Sequence, residues 1–583
     1  MTLLQIKLGS ITLFHTYVCA KLLYSLLLSA KILIIVLKLF GGIMVPKHYD
    51  VIIVGSGMAG LTAAAYLAND KHTVLVIEKD ETFGGLLGAF EVNGHWLDKG
   101  ARGIIDSGII TPMLKQLGID IEFVANPIKM TFEQESMDFL SVASLDDYER
   151  VLKHTFPEEH SAIDRIMQDI KTIMTHMDVL YGIENPLFMP KPYDMTYLGK
   201  TLLPWMFKFI AHINKAMRFM DPVDEHLLKI TSNQALVDMI AQHFFAKTPT
   251  FFALSYFTLY LQYQYPKGST QKIIDSFIDF IKENGADLLS QTEVISIDAD
   301  AKRVVTKTGE SYSYKQLLWA ADTNRFYHCL DIKAIKQKRL QFELNAKKNF
   351  FTSMKGADSI ITVYMLTNLD PQFFSAKNGP HAFFTPSRKG VSSVPLEMIL
   401  VDGQFTRDKH LLFEYIKENL ANNTLEVSIP SLRDVQLSPE GKSALIVSTL
   451  FDYALCEHLV ECGYYDEFKK LASHEMIRIL TDGLWPDFDQ HVEMTIVSTP
   501  KTIYDRTYAT QGSVTGWSFA NRPFPVEFKF LRVSKSVNTP IKSIKQAGQF
   551  TFNPAGVPVA VLTGKLAADA VHKDLVKDAR NGK

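Results

Sequence analysis

Apolar and polar positions along the chain follow several rhythms, and the first of them stops short of a recognisable domain. From Ile11 to Ile43 the residues are strongly apolar, yet Lys21, Lys31 and Lys38 interrupt them before any run reaches the roughly 18 residues of a membrane span. At the helical period, Lys7 and these three lysines fall within an arc of about 140° and leave Leu, Ile, Val and Phe on the other face. Residues 1–43 therefore predict a helix lying in a membrane interface, or a translated extension ahead of a start at Met44. A signal-like segment fits less well, because no small-residue cleavage site follows. Gly41-Gly42 and Pro46 break the pattern.

The rhythm changes at Asp50. DVIIVGSGMAGLTAAAYLANDKHTVLVIEK reads as a β-branched run, a glycine turn, an Ala-rich helix and a second β-branched run ending at Glu78. That order is a βαβ unit built to hold a nucleotide. Gly55 allows the tight turn, Gly57 lets the backbone approach a pyrophosphate, and Gly60 lets helix and strand pack closely. Ser56, Met58 and Ala59 fill the turn around them, and the phosphates sit on the helix N-terminus. At the end of the second strand Glu78, with Lys79 beside it, places a carboxylate where both ribose hydroxyls can donate to it.

Gly84-Gly85 follow, and then AFEVNGHWLDKGAR, whose alternation predicts a hairpin leading into the cofactor cleft. The stretch to residue 264 is apolar and reads as helical, with PLFMPKPYDMTYLGKTLLPWMFKFIAHINKAMRFM and FFALSYFTLYLQYQY concentrating Phe, Tyr, Met and Trp beside Lys208, Lys215 and Arg218. Such a basic and apolar surface suits contact with anionic lipid and admission of a lipophilic substrate. Residues 324–500 read differently. ADSIITVYMLTNLD, SVPLEMILVDGQF and KSALIVSTLFDYAL predict strands, in an antiparallel sheet beside the cofactor.

These motifs carry a resemblance. VIEKDETFGGLLGAFEVNGHWLDKG resembles the extended flavin fingerprint of the phytoene desaturase family, which includes carotenoid isomerases and retinol saturases and is related to flavin amine oxidases. It returns at YPKGSTQKIIDSFIDFIKENGADLLSQTEVISIDAD and in STPKTIYDRTYATQGSVTGW and TPIKSIKQAGQFTFNPAGVPVAVLTGKLAADAV. The resemblance implies FAD as cofactor, the backbone near Val294 on the adenine, and LLWAAD at residues 317–322 as the strand closing the sheet. It also implies that Gly548, Gln549, Gly556 and the helix starting near Val557 meet the flavin. Amine oxidases usually carry an acid where this chain has Gln549, which favours the desaturase branch. In two places the chain departs from the family. Ser269 replaces a second glycine, and Leu86 stands where many relatives have an arginine, so a phosphate or flavin contact is missing there.

The implied fold is α/β: a Rossmann-type FAD-binding domain with a parallel sheet in three layers, assembled from discontinuous segments, and an α+β substrate domain with a mixed or antiparallel sheet and a helical lid. The expected divisions are an apolar, lysine-bearing segment at 1–43, FAD-binding segments at 44–103, 265–323 and 501–583, a helical substrate or lid region at 104–264, and a substrate domain at 324–500.

Composition narrows the partners. The formal charge of -2 gives no field to draw nucleic acid, and 47% apolar residues with 38 Phe leave room for an apolar ligand. Four scattered cysteines fit a reducing compartment. Cys456, His458 and Cys462 read as helix packing in preference to a metal site, and the histidines make no catalytic constellation. Arg102, after the DKG turn, is the one polar residue nominated near the flavin, with a surface salt bridge as its ordinary alternative.

The expectation is an FAD-dependent oxidoreductase that desaturates, saturates or isomerises a carotenoid- or retinoid-like isoprenoid through hydride exchange with flavin N5. Amine oxidation and a flavoprotein without turnover of its own are the alternatives. No second GxGxxG unit appears, so electrons leave to oxygen, a quinone or a separate protein, or no net electron transfer occurs, as in the isomerases. The expected location is cytoplasmic, with peripheral contact on the cytoplasmic face of a membrane.

Overall fold

The computed structural model describes residues 47–582 except residues 181, 190–194 and 530–531. The interfacial helix expected in residues 1–43 lies outside the described residues.

The chain opens with β1 (Lys47–Val54), α1 (Met58–Asn69), β2 (Val74–Ile77) and a hairpin of β3 (Ala89–Val92) and β4 (His95–Asp98). Next come β5 (Ile128–Phe132), β6 (Glu135–Phe139), α2 (His160–Leu180), α3 (Leu203–Ala216), α4 (Thr250–Leu259) and α5 (Gln271–Glu283). Four strands follow, β7 (Asp287–Leu289), β8 (Val294–Asp298), β9 (Arg303–Thr306) and β10 (Ser311–Trp319). Beyond them lie β11 (Ser359–Thr367), β12 (His381–Thr385), α6 (Lys409–Asn422), β13 (Leu425–Ser428), β14 (Ser443–Phe451), α7 (Tyr465–Gly483) and β15 (Val492–Ser498). The chain ends in β16 (Ile544–Gln546) and α8 (Val557–Arg580).

A seven-stranded sheet has the order β7-β2-β1-β10-β9-β8, with β16 also on β10. Strands β7, β2, β1, β10 and β16 are parallel, and β9 pairs antiparallel with both neighbours. Because both faces are covered, β1 from Val51 onwards and all of β2 are apolar. Their period of two sends Val51, Ile53, Val74 and Val76 against α1, α5 and α8. Ile52, Val54, Leu75 and Ile77 go to the opposite layer with Phe326, Phe351 and Trp517. Helices α1 and α8 touch backbone to backbone, since a Cβ on Gly564 would lie 2.4 Å from the Ala59 carbonyl oxygen.

The second sheet, β15-β11-β14-β13-β12-β5-β6, stands beside the first. It is mixed, because β12 runs parallel to β5 while its other pairs are antiparallel. Two expectations need correction. The region read as helical contributes β5 and β6, a hairpin of two five-residue strands whose alternation, IKMTF and then ESMDF, sends Met130 and Met137 to the buried side ahead of the much longer helix α2. SVPLEMILVDGQF is not a core strand; it forms 3-10 turns at Val391–Ser393 and Leu396–Ile399 and a hairpin of two-residue strands. Its Pro395 and Gly403 favour turns, and its apolar side chains cap the end of the sheet.

One face of this sheet is a closed core. Ile361, Val363, Met365, Leu445, Val447 and Val427 pack on α6 and α7. The other face carries Ile360, Glu426, Ser448, His381 and Phe383 towards the first sheet, and these border one cavity of about 980 Å³ between the sheets.

Candidate cofactor cleft and substrate chamber

The cavity reaches the turn from β1 into α1. Gly55 has φ +100, and a Cβ there would sit 2.7 Å from the Ala320 carbonyl oxygen. Gly60 lies beneath it, with no room for a Cβ, which would come 2.0 Å from the Gly55 carbonyl oxygen. Gly57 is the N-cap of α1, and no side chain caps the helix. Its first amides therefore point unpaired into the cleft, as an anion-binding helix end requires.

Apart from Gly60, every residue nominated from the sequence borders this one cavity: Gly55, Ser56, Gly57, Met58, Ala59, Glu78, Lys79, Gly84, Gly85, Val294, Gly548, Gln549, Gly556, Val557 and Arg102. Glu78 is anchored by Ser56, whose amide and hydroxyl donate to Oε2 at 2.9 and 2.7 Å, and by the Asp80 amide on Oε1 at 3.0 Å. The Val294 carbonyl accepts from Cys329 Sγ at 3.4 Å. Gly548, at φ +104, donates to Thr563 Oγ1 at 3.0 Å, and Gly556, at φ +137, begins α8 without a side-chain cap. Two uncapped helix starts thus face one cleft.

Four side chains in this cleft were not singled out from the sequence. Tyr508 lies between Lys79 and Arg325, whose charged groups stand 4.0 and 4.7 Å from its ring centroid. Arg325 is held by Glu293 at 2.6 Å. The Arg506 guanidinium donates to the Gly85 carbonyl and lies 3.4 Å from Asp80. Its charge adds to burial in pulling the Lys99 pKa down. A distant arginine therefore stands over the paired glycines that Leu86 follows. The only signal was DRTY inside a matched block.

Ser269 keeps the left-handed geometry of the glycine it replaces, at φ +78.

Behind the cleft the cavity becomes a chamber lined with Trp205, Phe209 and Ile213 from α3 and Phe251, Phe252 and Tyr256 from α4. Trp205 donates to the Val179 carbonyl at 2.8 Å, which ties α3 to α2. Away from the cavity α3 exposes Leu203 and Phe207 beside exposed Lys208 and Lys215, and Met206 at the cavity border is also exposed.

Cleft and chamber meet at a buried polar network. Arg102 is only 2% exposed, so the surface salt bridge considered for it is ruled out. Its Nη1 donates to Glu426 Oε2 at 2.8 Å and its Nη2 to Ser448 Oγ. Glu426 Oε1 accepts from His381 Nε2 at 2.8 Å, and Asn126 donates to His381 Nδ1 at 3.2 Å. Burial pushes the Glu426 carboxyl up, but the Arg102 charge and the His381 hydrogen bond outweigh it and hold the pKa at about 2. Burial pulls His381 down against the attraction of Glu426, leaving the imidazole neutral. Arg433 donates to the Arg102 carbonyl and to Asn126, and its guanidinium lies 3.9 Å from the Tyr265 ring centroid. Tyr265 in turn donates to Asp98 at 2.9 Å. The available signal for Glu426 was an acid between Leu425 and Val427 in an otherwise apolar strand.

Cys456 is buried in a helix, and His458 Nε2 lies 2.9 Å from the Thr406 carbonyl oxygen and 3.4 Å from Cys462 Sγ.

Comparison with known proteins agrees with this geometry. Residues 53–117 match the family model described as an NAD(P)-binding Rossmann-like domain. The chain is 24% identical to prolycopene isomerase 1, chloroplastic, of an Oncidium hybrid cultivar, over 92% of this chain and 86% of that protein. It is 22% identical to a 1-hydroxycarotenoid 3,4-desaturase of Flavobacterium sp., over 89% of this chain and 98% of that one. A putrescine oxidase variant has the same fold, with a TM-score of 0.56, 12% identity, and 91% of this chain and 99% of that chain covered. The resemblance to the phytoene desaturase, carotenoid isomerase and retinol saturase family thus runs along the chain and is not confined to the cofactor blocks.

Proposed function

We propose that this protein is an FAD-dependent oxidoreductase that desaturates, saturates or isomerises a lipophilic isoprenoid. The observation that carries this reading is the continuity of the dinucleotide cleft with an aromatic chamber. The fit to FAD rests on two uncapped helix starts, of α1 and α8, at one cleft where Gly55 and Gly60 leave no room for a Cβ and Gly57 leaves open space at the start of α1. Gly57, Met58 and Ala59 would hold the pyrophosphate, Glu78 a ribose, and Gly548, Gln549 and Val557 the flavin. Bound there, FAD supplies hydride transfer. The protein's part is to align an allylic C–H bond and keep water out, for which apolar walls suffice. The chamber provides them.

With no second nucleotide unit in the sequence, a desaturation passes its electrons to a separate acceptor such as a quinone, oxygen or another protein, a saturation draws them from a separate reductant, and an isomerisation transfers none net. Among the described residues no helix is long and apolar enough to cross a membrane. The exposed Leu203, Met206 and Phe207, rimmed by lysines, favour peripheral contact with an anionic surface such as a cytoplasmic leaflet.

The test is anaerobic mixing of the FAD-loaded protein with isoprenoids and with amines. Bleaching of the flavin absorbance by an isoprenoid, or anaerobic return of the absorbance when an isoprenoid is added to the prereduced flavin if the reaction is saturation, supports the reading. Reduction by amines with peroxide release in air would replace it with amine oxidation.

A further inference from the structure

The junction between cleft and chamber holds charges for which a pure hydrocarbon substrate has no use. Arg102 stands at the inner end of the cleft, because it follows Gly100, where a Cβ would lie 2.1 Å from the Leu86 carbonyl oxygen. Its buried Nε has no hydrogen-bond partner among the described residues. Each oxygen of Glu426 has one donor, from Arg102 or His381, and keeps a further acceptor site. The Glu426 side chain is 32% exposed, and Glu426 borders the cavity, so an acceptor is open there.

The charges are balanced without a ligand. Arg102 and Arg433 face Glu426 and Asp98, with His381 neutral between them. An ammonium or a carboxylate would add a net charge to this balanced and largely buried network, whereas a neutral hydroxyl leaves the balance intact. A hydroxyl also matches the groups present, donating to Glu426 and accepting from a phenol. Tyr256 and Tyr263 both border the cavity and feel the Glu426 charge.

We propose that Glu426, positioned by Arg102 and His381, is a specificity-determining residue that accepts a hydrogen bond from a substrate hydroxyl. The substrate is then an isoprenoid alcohol that enters oxygen end first, with its hydrocarbon tail left between α3 and α4. This rests on the isoprenoid reading above and adds to it the polar group and its direction.

The experiment titrates the FAD-loaded full chain with geranylgeraniol and with the hydrocarbon of the same skeleton, reading the perturbation of the flavin spectrum. The alcohol is expected to bind about tenfold tighter or better, the worth of a hydrogen bond to a charged group. Glu426→Gln and Tyr256→Phe should each weaken the alcohol by about five- to tenfold and leave the hydrocarbon unchanged. If Glu426→Gln does not fold, Tyr256→Phe decides, because it leaves the Arg102–Glu426 pair intact. Equal affinities for the two ligands, or an equal loss for both in Tyr256→Phe, would overturn the proposal while leaving the isoprenoid reading standing. Failure of both ligands to perturb the flavin would overturn the isoprenoid reading and this proposal with it.

Discussion

The cleft and the chamber are two ends of one cavity made from opposite materials. At the cleft the working surface is backbone: unpaired amides of α1 and α8, and glycines at φ +100, +104 and +137, a conformation that residues with a Cβ rarely adopt. In the chamber it is side chains, aromatic along α3 and α4 and charged where Arg102 meets Glu426. A surface made of backbone constrains the sequence tightly, because only glycine satisfies it. A surface made of side chains can be assembled from many sequences, and its meaning depends on what stands opposite.

The largest effect is therefore expected at the cleft. Gly60→Val would drive a Cβ to 2.0 Å from the Gly55 carbonyl oxygen, against backbone that cannot move without opening the β1–α1 turn. The variant is expected to purify without flavin, as read by the ratio of visible to ultraviolet absorbance. A full complement of flavin would break the assignment of this turn to the cofactor.

That contrast governs what could be read in advance. The βαβ unit, the hairpin at Ala89–Asp98 and the C-terminal helix start were legible because each is a local pattern with glycine at a fixed offset. The network at the junction was not. Arg102 and Glu426 are 324 residues apart, and which charge faces which is set by the packing of two sheets. Arg102 after the DKG turn could be nominated, but its partner could not. The strands β5 and β6 were hidden for a similar reason: they are a short hairpin that joins the second sheet through β5 alone, and its partner β12 comes some 250 residues later.

The second prediction tests the chamber's side of the comparison. Glu426→Leu strands Arg102 as a buried, uncompensated charge, which costs on the order of 3–5 kcal/mol. The double variant Arg102→Met with Glu426→Leu should recover most of that, so denaturant midpoints should show strong coupling between the sites. Additive effects would mean that the two charges do not depend on each other.

Acid provides a third measurement, on the chamber alone. His243 borders the cavity with its Nε2 unpaired, and burial pulls its pKa from 6.5 down to about 4. A histidine depressed in this way takes up its proton in the unfolded chain first, so stability is lost as pH falls from 6.5 towards 4. His381 is shifted in the same direction. Glu426 is depressed from 4.5 to about 2, so its contribution is lost lower, as pH falls through that range. In the variant His243→Phe, the slope of stability against pH between 6.5 and 4 should fall by up to about 1.4 kcal/mol per pH unit, one proton's worth. An unchanged slope would show that the ring is hydrated in the folded protein.

The smallest effect carries the same backbone logic to Ser269, where a serine stands in a turn shaped for glycine. Ser269 is fully buried at φ +78, next to Gly268 at φ +85, so a residue with a Cβ occupies a conformation that costs L-residues about 1–2 kcal/mol. Its hydroxyl accepts from the Gln271 amide at 3.3 Å, a long bond that offsets little of that strain. Ser269→Gly should relieve the strain at the expense of unfolded-chain entropy and raise stability by roughly 0.5–1 kcal/mol, measured by denaturant unfolding of the flavin-loaded protein. A loss of stability instead would show that the hydroxyl holds the start of α5, and that serine was retained there for a side-chain contact in a turn otherwise shaped for glycine.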